Sequence, residues 1–152
     1  MAELKDRLRR ELTASMKARD ELRSSTLRMV LTGITNAEVS GKQARELTDD
    51  DVTAVLSTEA KKRREAAKAF DDAGRTQLAA KERSEAAIIA EFLPAPLTDS
   101  EIRDLVAATI AELGVEGEGR QAMGKVMGAL TPRTRGRADG AAVSAEVRRQ
   151  LG

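Results

Sequence analysis

The sequence predicts an all-α fold, with a four-helix N-terminal part over residues 1–93 and a small three-helix C-terminal domain over residues 97–152, joined by a proline-containing hinge. Three observations carry this prediction. Apolar residues recur at three- and four-residue intervals almost throughout, the spacing that gathers them on one face of a helix. No stretch alternates apolar and polar residues with the two-residue period of a half-buried strand. The helical pattern breaks sharply at Leu93-Pro-Ala-Pro-Leu97, where two prolines remove backbone donors and push their predecessors towards extended geometry.

Taken in order, Leu4, Leu8 and Leu12 step by four residues, and Met16 extends the stripe along a first helix. Leu22, Leu27, Val30, Leu31 and Ile34 define a second. Thr48-Asp-Asp-Asp51 is a start signal: a hydroxyl able to accept from an unpaired first-turn amide, then acids that suit the positive end of the helix dipole. It opens a long third helix carrying Val52, Val55, Leu56, Ala60, Ala66 and Phe70, with a stop at Gly74. Thr76 is the expected cap of a fourth helix, with Leu78, Ile88, Ile89 and Phe92 facing inward. So short a turn makes the third and fourth helices an antiparallel hairpin. Beyond the prolines, Thr98-Asp-Ser-Glu101 has the form of a capping box and starts a fifth helix with Ile102, Leu105, Val106, Ile110 and Leu113 on one face. Glycines at 114, 117 and 119 end it. Met123, Val126, Met127 and Leu130 make a short sixth helix, and Val143, Val147 and Leu151 a seventh capped by Asp139.

Composition removes whole classes of function. With 34% charged and 41% hydrophobic residues, the chain is too apolar to remain unfolded and too charged for a membrane protein. No apolar run approaches the ~20 residues a bilayer span needs, and Met1-Ala-Glu-Leu-Lys-Asp6 is not a signal peptide. A cytoplasmic protein with no membrane partner is expected. Without Cys there is no disulfide frame, thiolate nucleophile or sulfur-based zinc site. Without His the usual proton shuttle and the commonest transition-metal ligand are missing, which excludes Ser-His-Asp and Cys-His catalysis. No Trp, no Tyr and only 2 Phe leave almost nothing for a base to stack on. No catalytic residue, metal or cofactor is expected.

The net charge of +1 hides local structure. Asp99 to Glu118 holds six acids against one base, Arg103, whereas Gly119 to Ala138 holds five bases (Arg120, Lys125, Arg133, Arg135 and Arg137) and no acid. Clustered cations are the footprint of phosphate contact. Three arginines on a flexible Thr131–Arg137 loop would follow a phosphate backbone without a preset register. The competing reading is pairing with the acidic run just upstream. A secondary basic cluster, Lys61, Lys62, Arg63 and Arg64, falls within the third helix, where four consecutive residues splay around the axis and cannot share a face.

Other patterns mislead. Gly119-Arg-Gln-Ala-Met-Gly-Lys125 imitates a phosphate-cradling loop, but Val126 stands where a magnesium-binding hydroxyl belongs and no strand precedes it. Gly124 and Gly128, four apart, are expected to let another helix approach closely. Glu59 and Arg63 fall on the apolar seam of the third helix, and Glu82 and Glu85 on the inward side of the fourth. Charges there demand partners, so an ion-pair network between adjacent helices is expected in preference to acid–base chemistry.

An ordered set of short motifs runs the length of the chain: Met16-Lys-Ala-Arg-Asp20, Thr26-Leu-Arg-Met29, Lys61-Lys-Arg63, Ala73-Gly-Arg75, Glu82-x-x-Glu85, Leu93-Pro94, Met123-Gly-Lys-Val-Met127 and Gly136-Arg-Ala-Asp-Gly140. Together they resemble the GatB/YqeY family and its YqeY-like stand-alone proteins. The resemblance implies a two-part helical fold and kinship with the tail domain of the GatB component of aspartyl/glutamyl-tRNA amidotransferase, which contacts tRNA. Through it, Lys125 becomes the leading candidate for RNA contact, supported by Arg120 and by Arg133, Arg135 and Arg137. One position departs: similar proteins often carry an acid just before Met123, and this chain has Ala122, so no side-chain cap is expected there.

The functional expectation is a non-enzymatic accessory protein that binds tRNA or another structured RNA through residues 119–138. An alternative is a helical protein-interaction module in a translation or amidotransferase assembly, docking through Met123, Met127 and the paired glycines. The carbon–nitrogen ligase label that the family can carry, with glutamine as amide donor, would need a nucleophile, oxyanion donors and a metal–nucleotide site that the residues do not offer.

Overall fold

A computed structural model describes residues 3–152. Among the described residues there are seven α-helices, one 3-10 turn and no strand. Two compact units divide the chain, the first ending at Leu93 and the second running Pro94–Gly152.

The first unit contains α1 (Glu3–Lys17), α2 (Glu21–Val39), α3 (Asp49–Asp72) and α4 (Thr76–Ala90). Leu8, Leu27, Val30, Ile34, Leu47, Val52, Leu56, Ala60, Ile89 and Phe92 form its buried core. Asp20 caps α2 by accepting from the Arg23 amide. At α3, Thr48 and Asp51 cap each other's amides at 3.2 and 3.1 Å, which satisfies two donors that the helix start leaves open. The buried hydroxyls of Ser15 and Ser24, 2.8 Å apart, tie α1 to α2. Buried Ala60, Ala67, Ala79 and Ala86 leave room for α3 and α4 to approach closely. Over Phe92 lie two guanidinium groups, Arg7 at 4.8 Å and Arg23 at 5.8 Å from the ring centroid.

Three local expectations need correction here. Thr76 is the first residue of α4 and not its cap; Arg75 precedes it, and no side chain caps that end. Met16 is 45% exposed, because a four-residue step advances about 40° beyond a full turn, so a stripe of such steps drifts off the buried face. Leu78 is 42% exposed, since α4 turns Ala79, Ala86 and Ile89 inward and Leu78 lies about 100° round the axis from Ala79.

The second unit contains α5 (Asp99–Leu113), a 3-10 turn (Gly119–Ala122), α6 (Met123–Thr134) and α7 (Gly140–Leu151). Its core is Ile102, Val106, Ile110, Val115, Ala122, Val126, Leu130, Val143, Val147 and Leu151. Thr98 and Glu101 form a reciprocal capping box with both bonds at 3.1 Å. Gly114, at φ 65°, closes α5 in the left-handed region that a side chain disfavours. Asp139 accepts from the Ala141 amide at the start of α7. The start of α6, at Ala122, has no side-chain cap.

The expected flexible loop over Thr131–Arg137 is largely helical: α6 continues to Thr134 with Pro132 inside its last turn. A proline there removes only the bond to the carbonyl of Gly128, and because Gly128 is exposed, water can satisfy that carbonyl. The chain turns after Thr134, whose carbonyl accepts from the amides of Arg137 (2.9 Å) and Ala138 (3.1 Å). Gly124 and Gly128 do not admit another helix of this unit either. A Cβ at each position would meet nothing within 4 Å.

Candidate nucleic-acid interface

The helical path of residues 123–134 divides the predicted cations between two sides. With about 100° per residue, Gly124, Gly128, Thr131 and Arg135 follow one row along α6, and Lys125 and Pro132 follow the adjacent row; all six are exposed. Arg120 is exposed in the 3-10 turn before α6. Arg133 lies about 180° from Gly124 and so points the other way, towards α5.

The partners of each cation follow this division. Arg133 pairs with Glu112 at 2.9 Å and donates to the Thr109 hydroxyl at 3.2 Å, tying α6 to α5. Arg137 donates from Nε to the carbonyl of Ala95 at 3.1 Å, while its own carbonyl accepts from the Leu97 amide at 2.7 Å. It also helps hold the Glu101 carboxyl below its ordinary value, after the larger effects of the amide and hydroxyl of Thr98. Arg120, Lys125 and Arg135 form no ion pair among the described residues. Of the five predicted cations, Arg120, Lys125 and Arg135 are thus exposed with no side-chain partner among the described residues, whereas Arg133 is paired across to α5 and Arg137 is clamped through its Nε. The pair with Glu112 follows, for Arg133, the competing reading in which the cations meet the acidic run just upstream; neither Thr109 nor the Ala95 carbonyl was singled out from the sequence. Met123 and Met127 are half-buried against the unit's core, which takes their side chains out of a free docking face.

The secondary cluster is split as well. Lys61, Lys62 and Arg64 are exposed, whereas Arg63 turns towards α4. There Arg63 meets Glu59 at 3.1 Å, Glu85 at 3.4 Å and Glu82 at 3.9 Å, and it also contacts the sulfur of Met29. Lys62 reaches Glu59 at 3.6 Å. Arg63 and the three carboxylates retain only 12–19% of their side-chain exposure, so α3 and α4 enclose one guanidinium among three acids. Burial pushes the Glu85 carboxyl up, and Glu82 beside it adds to the rise, against the opposing pull of Arg63 and Lys81. The network joins two helices and its charges are turned onto each other. Met29 was not predicted as a member, because nothing local in α2 marks a sulfur that will meet a guanidinium from α3.

No group of three or more His, Cys, Asp or Glu residues suited to a metal ion occurs among the described residues. None of their helices is long and apolar enough to cross a membrane.

Two helical units, the smaller with exposed cations on and next to α6 that form no ion pair among the described residues, define an all-helical protein whose candidate site is that cationic surface. The Yqey-like protein family matches over residues 5–151, and the chain belongs to that family. It is also 40% identical, over 87 residues, to an uncharacterized protein of Schizosaccharomyces pombe, a match covering 57% of this chain and 69% of the yeast protein.

Proposed function

We propose that this protein is a non-catalytic, RNA-associated accessory protein that engages tRNA or a similarly structured RNA through the outer side of α6. The observation that carries the reading is that Arg120, Lys125 and Arg135 are exposed without ion pairs among the described residues, Lys125 and Arg135 on rows at or beside a helix surface that Gly124 and Gly128 leave bare of side chains and Arg120 in the turn that leads into it. Three cations around a smooth surface suit a sugar–phosphate backbone, which makes its contacts through phosphate oxygens and needs no stacking platform. The family resemblance to the tRNA-contacting tail of the amidotransferase supports the same reading, and Leu93-Pro-Ala-Pro-Leu97 serves in it as the hinge between a four-helix and a three-helix part. No amide-transfer step is assigned to this chain.

The test is equilibrium binding of bulk tRNA at low salt to the wild-type protein and two variants. Arg120→Ala/Lys125→Ala/Arg135→Ala is expected to lose most of the affinity, while Lys62→Ala/Arg64→Ala in the first unit keeps it. Equal losses in both would reduce the interaction to net charge and overturn the assignment. Steady transfer of ammonia from glutamine to misacylated tRNA by the pure protein would overturn the non-catalytic role.

A further inference from the structure

The second unit has another face, unrelated to the outer side of α6. A groove of about 620 Å³ is lined by Leu97, Glu101, Asp104, Leu105, Arg133 and Arg137. Leu97 and Leu105 are half-buried against the core and leave part of their surface open in it. On α5, Glu101, Asp104 and Leu105 are separated by three and four residues and share one side of the helix. Arg133 and Arg137 come from the end of α6 and the turn beyond it.

The charged groups of the groove differ in what they have left to offer. Glu101 is occupied as a cap, and Arg133 is held by Glu112 and Thr109. Arg137 is clamped through Nε and its backbone carbonyl. Its terminal nitrogens make no ion pair among the described residues. The Asp104 carboxylate likewise makes no hydrogen bond or ion pair among them. The groove thus carries a pre-positioned guanidinium fork, an uncommitted carboxylate and two leucines in one depression. A clamped guanidinium loses little further freedom on binding a carboxylate.

We propose that this groove docks an amphipathic segment of a partner protein, one that places leucine-sized side chains on Leu97 and Leu105, a carboxylate on Arg137 and a cationic side chain on Asp104. Charge complementarity identifies the occupant. Glu101 and Asp104 repel a phosphate chain, so a polyanion is disfavoured where the cations of α6's outer side would welcome it. The two leucines require an apolar counterpart, and the paired charges require a partner carrying both signs. Lodging an amphipathic segment's apolar side between two helices is a recurrent mode of peptide recognition. This surface does not depend on the RNA-binding assignment, and the two fail separately.

The experiment is an NMR titration of the full-length protein, isotopically labelled, with an acetylated and amidated peptide. The peptide has leucines four residues apart, a glutamate on one flank and a lysine on the other; its counterpart has alanines for leucines. The expected result is a saturable shift of the Leu97, Asp104, Leu105, Arg133 and Arg137 signals at peptide concentrations up to about 1 mM, absent with the alanine peptide. Arg137→Gln and the exposed Asp104→Lys should each weaken binding several-fold, and Asp104→Lys keeps the test valid if loss of the Arg137 clamp loosens the turn. The proposal is overturned by an absence of saturable shifts, by unchanged affinity in Asp104→Lys, or by a tRNA titration that moves these signals in preference to those of Lys125 and Arg135.

Discussion

Arg63 in the first unit and Lys125 in the second both come from stretches rich in basic residues, one contiguous and one dispersed, and they meet opposite surroundings. Arg63 sits on the apolar seam of α3, so folding brings it against Glu59, Glu82 and Glu85 and removes it from solvent. Lys125 stands on the outer side of α6, where no carboxylate reaches it. The difference teaches that local charge density is a poor guide to a binding face. Position around the helix axis decides whether a cation is consumed by the fold or left for a partner.

Core truncations should separate the units most strongly. Leu56→Ala and Leu130→Ala each empty a fully buried site and are expected to cost about 3 kcal/mol. Two urea transitions, with only the Leu130→Ala protein losing RNA binding in step with its own transition, would sharpen the contrast. A single shared transition, with binding lost equally in both variants, would break it.

Removing the enclosed guanidinium comes next. Arg63→Leu leaves three carboxylates facing one another and should destabilise the protein by about 2 kcal/mol, below the 3–5 kcal/mol of a fully buried pair because the network keeps some solvent access. Adding Glu82→Gln and Glu85→Gln should restore much of this in the same urea experiment. RNA affinity of the folded protein should not move.

The same network sets a pH dependence. The Glu85 carboxyl lies above its ordinary value of 4.5 in the folded protein, so the native state binds its proton more tightly than the unfolded chain does. Its contribution is fully present below the unfolded value and is lost as pH rises through the folded one. Glu85→Gln, neutral at every pH, should therefore melt above the wild type at pH 7 and lose that advantage on acidification below pH 4.5. In the second unit, Glu146 has the opposite sign. Arg149, and then Gln150, hold its carboxyl down to about 2, so its contribution is present above the ordinary value and disappears as pH falls towards 2.

The smallest effect belongs to Arg133. Its pair with Glu112 is about half-exposed on both sides, at 43% and 57%, so Arg133→Ala should cost no more than about 0.5 kcal/mol in thermal melts. Because it faces α5, it should leave RNA affinity within about twofold of wild type, a change of ~0.4 kcal/mol. A loss matching that of Lys125→Ala would contradict the division of cations between the two sides of α6.

The helices were legible in the sequence because three- and four-residue apolar spacing and the capping boxes Thr48–Asp51 and Thr98–Glu101 are local signals, complete within a few residues. What was not legible depended on rotation and on distant partners. Met16 and Leu78 carry the right residue types at the wrong angle. The continuation of α6 through Pro132 depended on a lost bond falling at the exposed Gly128 carbonyl. The cationic set could be found by counting charge, but not divided. Arg133 is claimed by Glu112, 21 residues away, and Arg137 by the Ala95 carbonyl, 42 residues away. The pairing of Glu59 with Arg63 is legible, since it lies one turn along a single helix.

The most direct test of the central claim is the salt dependence of tRNA binding. If Arg120, Lys125 and Arg135 each meet a phosphate, the logarithm of the association constant should fall with the logarithm of salt concentration at a slope of about −2 to −3. Each alanine substitution among the three should make that slope shallower by close to one, while Arg133→Ala leaves it unchanged. A slope that stays the same in the triple variant, or that Arg133→Ala flattens as much as Lys125→Ala, would contradict the assignment of the outer side of α6 to RNA.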